Sequence, residues 1–354
     1  MLAACFWPFR FHPHNDVMYL PDGQGLQFHG LGTAYSRDSF PSLRTLSESH
    51  ELTVEMTVRP KRVFNHGLPN ILCLTAGEGQ PALVIGAWRK SLVVRLGRPE
   101  NPGRKKYIEL GVDDVFDAGK TVHLVISLSP RGTEIFVDGS VGRSFPAAYL
   151  DISDSPLGRL LLGNSPTGDS LWRGDILALA VHDRALTPFE ISQGETAGAR
   201  ANRIESDGGL IARYRFDEMQ GNLIPNTSGP RYDIVIPPYF SPLHRTVLEP
   251  PRGGERVTLS SILDIVLNVL GFIPFGFLAM SCLYPGTATA LRWRATMAVL
   301  AGFSLSLFIE LIQVFLPTRN SSLMDLAANT LGAAIGVFIL FVVVGWRRET
   351  VAAP

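Results

Sequence analysis

The chain has 354 residues, a formal net charge of zero and 18% charged residues. That length exceeds one ordinary core, so two domains are expected, and the balanced charge gives no reason to expect a nucleic-acid partner. Three cysteines, Cys5, Cys73 and Cys282, make neither a disulfide framework nor a metal-binding spacing. Cys73, in the apolar run "NILCL", and Cys282, in a long apolar segment, read as buried thiols. The charge is unevenly placed: residues 1–255 hold nearly all of it and residues 257–346 very little.

At the N-terminus, "MLAACFWPF" is apolar but too short to span a bilayer, and it lacks the basic region of a signal peptide. Residues 1–16 are therefore expected to be the end of a first membrane helix that begins upstream. Residues 17–205 read as an antiparallel β-sandwich. Leu52, Val54, Met56 and Val58 alternate with polar residues, as do Val122, Leu124, Ile126 and Leu128, which is the period of a half-buried strand. Asp138-Gly139 in "EIFVDGSVG" signals a tight hairpin. After the strand "DILALAVHD", Thr187-Pro-Phe-Glu190 supplies a Thr N-cap, Pro at the first helical position and Glu three residues on, so a short helix starts there. Residues 206–256 add a last strand, "GLIARYRFDE", and then the Pro-rich "VIPPYFSPLHRTVLEPPRGG", which predicts an extended connector.

Residues 257–348 contain three long apolar segments, 262–284, 295–316 and 323–346, each long enough to cross a hydrocarbon core about 30 Å thick. Each carries one acid, Asp264, Glu310 and Asp325. Arg292, Arg294, Arg347 and Arg348 outweigh the lone Arg319 of the other loop. The positive-inside rule then puts 285–294 and the C-terminus in the cytoplasm and the sandwich outside.

Two resemblances follow from these residues. "GLQFHG", "EIFVDGS", "LLLGN" and "WRGDILALAVHDRALTPFEI" resemble a laminin-G-type domain, implying the concanavalin A-like jelly-roll fold. "DIVLNVLGFIPFGF" and "SLSLFIELIQVFLPTRNSSLMDLAANTLGAAIG" resemble the VanZ-like membrane family, through Asp264 and Asn268, Pro274 and Gly276, Glu310 and Gln313, Arg319, Asp325 and Asn329, Gly332 and Gly336. The resemblances imply a bacterial envelope protein with a lectin-like domain inserted between the first and second helices of a VanZ-like unit. They also imply an association with low-level tolerance of the glycopeptide teicoplanin. Expected partners are the lipid bilayer and a cell-wall glycan or glycopeptide. No cofactor is expected. Domains of this sandwich type often bind Ca²⁺ at loop ends, but no Asp-rich ion loop is evident.

Ser-x-x-Asp-x-x-x-Asn-x-Leu-Gly occurs twice, at Ser261–Gly271 and Ser322–Gly332. Helical spacing places Asp264, Asn268 and Gly271 on one face, Asp325, Asn329, Gly332 and Gly336 on another, and Gly302, Ser306, Glu310 and Gln313 on a third. Small residues at Gly271, Gly302, Ser306, Gly332 and Gly336 predict close helix packing. Together with Arg319, the polar residues predict a membrane pocket of Asp264, Asn268, Glu310, Gln313, Arg319, Asp325 and Asn329. Simpler roles compete with this. Both aspartates fit a capping box, and the amides could be interhelical glue. Glu310, about 10 Å deep if its helix runs to residue 316, needs Arg319 or the two asparagines as partners. If the pocket is catalytic, Glu310, Asp264 and Asp325 are the candidates. Elsewhere, "HPH" at His12–His14 reads as a surface turn and "GRKK" at 103–106 as a hairpin loop. Trp88 and Trp172 read as core more readily than as sugar-stacking residues, and Asn226-Thr-Ser and Asn320-Ser-Ser as chance glycosylation signatures.

Overall fold

The structure is a computed structural model. It describes residues 11–42, 45, 50–62, 67–76, 79–97, 107–150, 156–193, 208–245, 247–250, 259–283, 291–317, 319 and 321–352. Residues 1–10, "GRKK" and Asn320 fall outside them. The chain divides into a unit of residues 12–244 and a unit that contains 245–354.

In the first unit the strands in chain order are β1 (Val17–Tyr19), β2 (Leu26–Phe28), β3 (Ala34–Ser36), β4 (Leu52–Pro60), β5 (Asn70–Ala76), β6 (Gln80–Trp88), β7 (Ser91–Gly97) and β8 (Tyr107–Val112). There follow β9 (Val122–Ser129), β10 (Gly132–Val137), β11 (Ser140–Phe145), β12 (Leu157–Leu162), β13 (Gly174–His182), helix α1 (Pro188–Gln193), β14 (Leu210–Tyr214), β15 (Leu223–Ile224) and β16 (Ile234–Val235). One antiparallel sheet runs β1-β2-β13-β4-β9-β10-β11, with β14 also on β13; the other runs β15-β16-β3-β12-β5-β6-β7-β8. The alternation in β4 and β9 turns Leu52, Val54, Met56, Val58, Val122, Leu124, Ile126 and Leu128 into one core with Ile71, Leu72, Leu83, Ile85 and Trp172. Burying such side chains removes them from water at roughly 25 cal/mol per Å². Asp138 and Gly139 adopt φ of 48° and 76°, the left-handed pair a tight hairpin between β10 and β11 requires.

Thr53 and Thr57 on the opposite face of β4 are also buried. Part of that face is roofed by α1, whose Ile191 packs with Val125, Phe136 and Leu186. The capping box forms as its residues predict: the Thr187 N–H donates to Glu190 Oε2 at 2.8 Å and the Glu190 N–H to Thr187 Oγ1 at 3.3 Å. Arg184 grips the same carboxylate at 2.8 Å and holds it well below the usual range, at about 2. Beyond β14 the Pro-rich stretch is not a free connector. Phe240 is buried, its N–H donates to the Pro13 carbonyl at 2.9 Å, and the His244 N–H donates to the Pro166 carbonyl at 2.9 Å. The sandwich unit therefore extends to His244, because the prolines supply extended backbone that docks through its remaining donors.

Two single residues, Trp88 and Cys282, depart from expectation. Trp172 is fully buried, but Trp88, at the end of β6, is 43% exposed and is not core. Asn226 is buried with its amide donating to the Ile211 and Arg231 carbonyls, so its glycosylation signature is structural. Cys73 is buried, as its apolar strand predicts, whereas Cys282 is exposed on its helix.

The second unit holds helices α2 (Leu259–Leu283), α3 (Leu291–Gln313) and α4 (Leu323–Ala352). The segments Ile262–Leu283, Leu291–Gln313 and Leu323–Val344 are long and apolar enough to cross a bilayer. Helix α3 begins four residues earlier than the apolar run suggests and ends at Gln313 rather than 316. The Phe315 and Leu316 N–H groups bond back to Ile312 and Gln313 in a tight turn toward Pro317.

Candidate functional site

The polar residues of the helical unit gather where α3 ends and α4 begins. Ser322 is the N-cap of α4: its hydroxyl accepts from the Met324 and Asp325 N–H groups at 3.2 and 3.4 Å. The return bond of a capping box comes from an unexpected acid. The Ser322 N–H donates to Glu310 Oε2 at 2.8 Å, so the carboxylate at the first-turn position, Asp325, is left for other partners. Glu310 is 1% exposed and in the last turn of α3, with the Ser321 hydroxyl as a second partner. Its hydrogen-bond partners are thus Ser322 and Ser321 at the start of α4, and α3 ends three residues beyond it rather than running to 316. An acid here faces the positive end of α4, which is a favourable place for it without a cation.

A short strap completes the end of α4. The Glu249 N–H donates to the Ser321 carbonyl at 2.9 Å, the Leu323 N–H donates to the Glu249 carbonyl at 3.1 Å, and the Leu248 N–H donates to Ser321 Oγ at 3.0 Å. Arg245 Nη1 donates to the Val314 carbonyl just past α3 at 2.8 Å. Sequence inspection missed this strap, because its bonds are mostly backbone to backbone and leave no side-chain signature.

Asp325 has the Asn268 side chain as a hydrogen-bonding partner and the charges of Asp264 and Arg319 as neighbours, and it also acts on Glu310. Asp264 and Arg319 are exposed, while Asp325, Asn268 and Gln313 are half-buried. Thus Glu310, Asp325, Asp264, Asn268 and Arg319 come together. Asn329 sits apart from them on α4: it is 5% exposed, its Nδ2 donates to Ser306 Oγ of α3 at 3.0 Å, and its Oδ1 has no partner. Gln313 ends α3, where its carbonyl accepts from Leu316.

The duplicated motif is not duplicated in structure. Helix α2 begins at Leu259, so Ser261 lies inside it and is not an N-cap, and Asp264 is beyond the first turn. Gly271 is exposed, and a β-carbon there would meet nothing within 4 Å, so it is not a packing residue. The packing seam runs instead through Val269, Phe272, Ile273 and Gly276. A β-carbon on Gly332 would overlap the Val269 carbonyl oxygen, one on Gly336 that of Ile273, and one on Gly276 that of Ala333. Gly302 of α3 abuts the Ala333 methyl group of α4, and Ser306 is fully buried. The backbones of α2 and α4 are in direct contact.

Among the described residues of the sandwich, a groove of about 310 Å³ is lined by Asp113, Asp114, Asp117, Lys120 and Asp138 among others. The charges of Asp113, Asp117, Lys120 and Asp138 have local partners. Lys90 and Lys120 bind Asp117 at 2.8 and 2.9 Å and hold it at about 2, Ser91 donates to Asp113, and the His123 N–H donates to Asp138. Among the described residues no three His, Cys, Asp or Glu side chains are arranged to hold a metal ion.

Residues 199–344 match the VanZ/LLP1 family model, and residues 32–192 match that of the concanavalin A-like lectin/glucanases superfamily. The first match spans the three helices as far as residue 344, which resemble VanZ-like proteins, and the second spans most of the sandwich, whose fold is a jelly roll. The VanZ-like match starts ahead of α2 and so takes in β14 to β16 and the strap. No curated protein matches the chain. Among solved structures, a heptameric SAP-like pentraxin from Limulus polyphemus aligns at 16% identity and a TM-score of 0.42, over 61% of this chain and 96% of that one. A putative carbohydrate binding protein from Bacteroides ovatus aligns at 16% identity and 0.43, over 62% of this chain and 60% of that one. Trypanosoma rangeli sialidase with sialic acid aligns at 17% and 0.39, over 55% of this chain and 30% of that one.

Proposed function

We propose that the protein is a multi-pass membrane protein of the bacterial cell envelope. Its sandwich lies outside the cytoplasm and binds a wall glycan or glycopeptide, and its VanZ-like helices hold a polar site that contributes to tolerance of teicoplanin-type antibiotics. The observation that carries this is the cluster at the α3–α4 junction, in a chain that also bears a concanavalin A-like domain. Glu310 is engaged by the end of α4 and positions it, and Asp325, Asp264, Asn268 and Arg319 gather beside it as the groups proposed to meet a ligand. Two acids, an amide and a guanidinium suit an amine- or hydroxyl-bearing head group, which the acids can accept from and the guanidinium can donate to.

A rival enzymatic reading, in which these acids act on a lipid-linked envelope precursor, would rest on Asp325 and Asp264, since Glu310 already accepts from Ser322. A third reading, a plain membrane anchor for the sandwich, gives the cluster no ligand at all. Susceptibility of a bacterial host expressing the chain separates these. Expression should raise teicoplanin tolerance. Glu310→Gln should keep that effect and Asp325→Asn should remove it while the protein stays folded. Full tolerance with Asp325→Asn and Asp264→Asn combined would leave the anchor reading standing.

A further inference from the structure

We propose that His12, Tyr239 and His14 form a glycan-contacting platform on the sandwich unit, an inference that rests on the glycan-binding reading of that unit. Outside the named strands, residues 12–15 pair antiparallel with 237–240. The Phe240 N–H donates to the Pro13 carbonyl at 2.9 Å and the Asn15 N–H to that of Pro238 at 3.3 Å, which sets His14 opposite Tyr239. Side chains on an extended chain alternate, so His12, His14 and Tyr239 share one face while Pro13 and Phe240 are buried on the other. Asn15 pins the pair: its Nδ2 donates to the Thr33 and Pro237 carbonyls at 2.8 Å each and its Oδ1 accepts from the Thr33 N–H at 2.9 Å.

On this rigid backbone Tyr239 is 48% exposed, with the His12 and His14 rings 5.8 and 5.7 Å from its own, at 56° and 35°. Both histidines are exposed. A large aromatic held open to solvent and bracketed by imidazoles has the chemistry of a sugar subsite. The ring offers an apolar face to the C–H groups of a pyranose, and the imidazole nitrogens and phenol bond its hydroxyls. Equatorially substituted gluco-type sugars present axial C–H groups on both ring faces, which makes a β-linked gluco-type chain the ligand class proposed for the platform. The platform lies outside residues 32–192 that match the lectin family, and its Tyr239 falls within the stretch that matches the VanZ/LLP1 model.

The test is calorimetric titration of the full-length protein in detergent micelles with a β-linked N-acetylglucosamine tetramer, and in nanodiscs that carry a glycolipid with the same sugar. Binding of the free tetramer assigns the platform to wall polysaccharide, and binding confined to the nanodiscs assigns it to a lipid-linked glycan. In either arm Tyr239→Ala should weaken binding about tenfold. Tyr239→Trp should keep it, and Trp88→Ala, at another exposed aromatic, should leave it unchanged. Binding unaltered by Tyr239→Ala overturns the platform and leaves glycan binding in place. Failure of the unsubstituted protein to bind in both arms overturns the glycan reading and the platform with it.

Discussion

Glu310→Ala is expected to destabilise the helical unit by about 2–4 kcal/mol, and Glu310→Gln by only about 1 kcal/mol. Alanine strands the Ser322 N–H in a site where Ser321 and Glu310 are both 1% exposed, and water has little room to replace the lost acceptor. It also removes the negative charge from the positive end of α4. Glutamine keeps an acceptor oxygen within reach of Ser322 and loses only the charge. Far-UV circular dichroism during titration with a denaturing detergent checks both. Equal loss from the two substitutions would mean that charge, not hydrogen bonding, is what α4 takes from Glu310.

The second large effect is expected at glycines that look alike in sequence. Gly332→Ala should cost about 3 kcal/mol or more, since its β-carbon would drive the Val269 carbonyl, and with it α2, away from α4. A side chain could rotate aside, but a helix backbone must move as a body. Gly271→Ala, at the matching place in the other copy of the motif, meets open space and should be neutral or stabilising by up to about 1 kcal/mol. The same detergent titration compares them; similar losses from both would place Gly271 in a packing seam after all.

These residues also show how far the sequence could be read. Period-2 alternation in β4 and β9, the Asp138-Gly139 turn and the Thr187–Glu190 cap were legible because each is set by local chemistry. The helices were legible from apolar length, yet their ends were not, since the polar groups that cap α4 come from α3 and from the strap. A repeated Ser-x-x-Asp reads as a capping box in both copies. One copy lies inside a helix, and in the other the distant Glu310 makes the return bond. The motif carries no record of either, because capping depends on where the preceding chain turns. Trp88 departs from its reading for a similar reason: an aromatic in an apolar context looks like core, and only the packed structure shows it left open.

The proposed function places the polar cluster, like the sandwich, outside the cytoplasm. Helices α2, α3 and α4 put Asp264, Glu310, Asp325 and Arg319 at one end, and the basic pair Arg292 and Arg294 marks the other. With the three native cysteines replaced by serine, single cysteines at positions 319 and 292 can be probed in intact cells with a membrane-impermeant maleimide. The account predicts that Arg319→Cys is labelled in intact cells and Arg292→Cys only after permeabilisation. Labelling in the reverse pattern would contradict it and would turn the cluster, and the ligand proposed for it, to the cytoplasm.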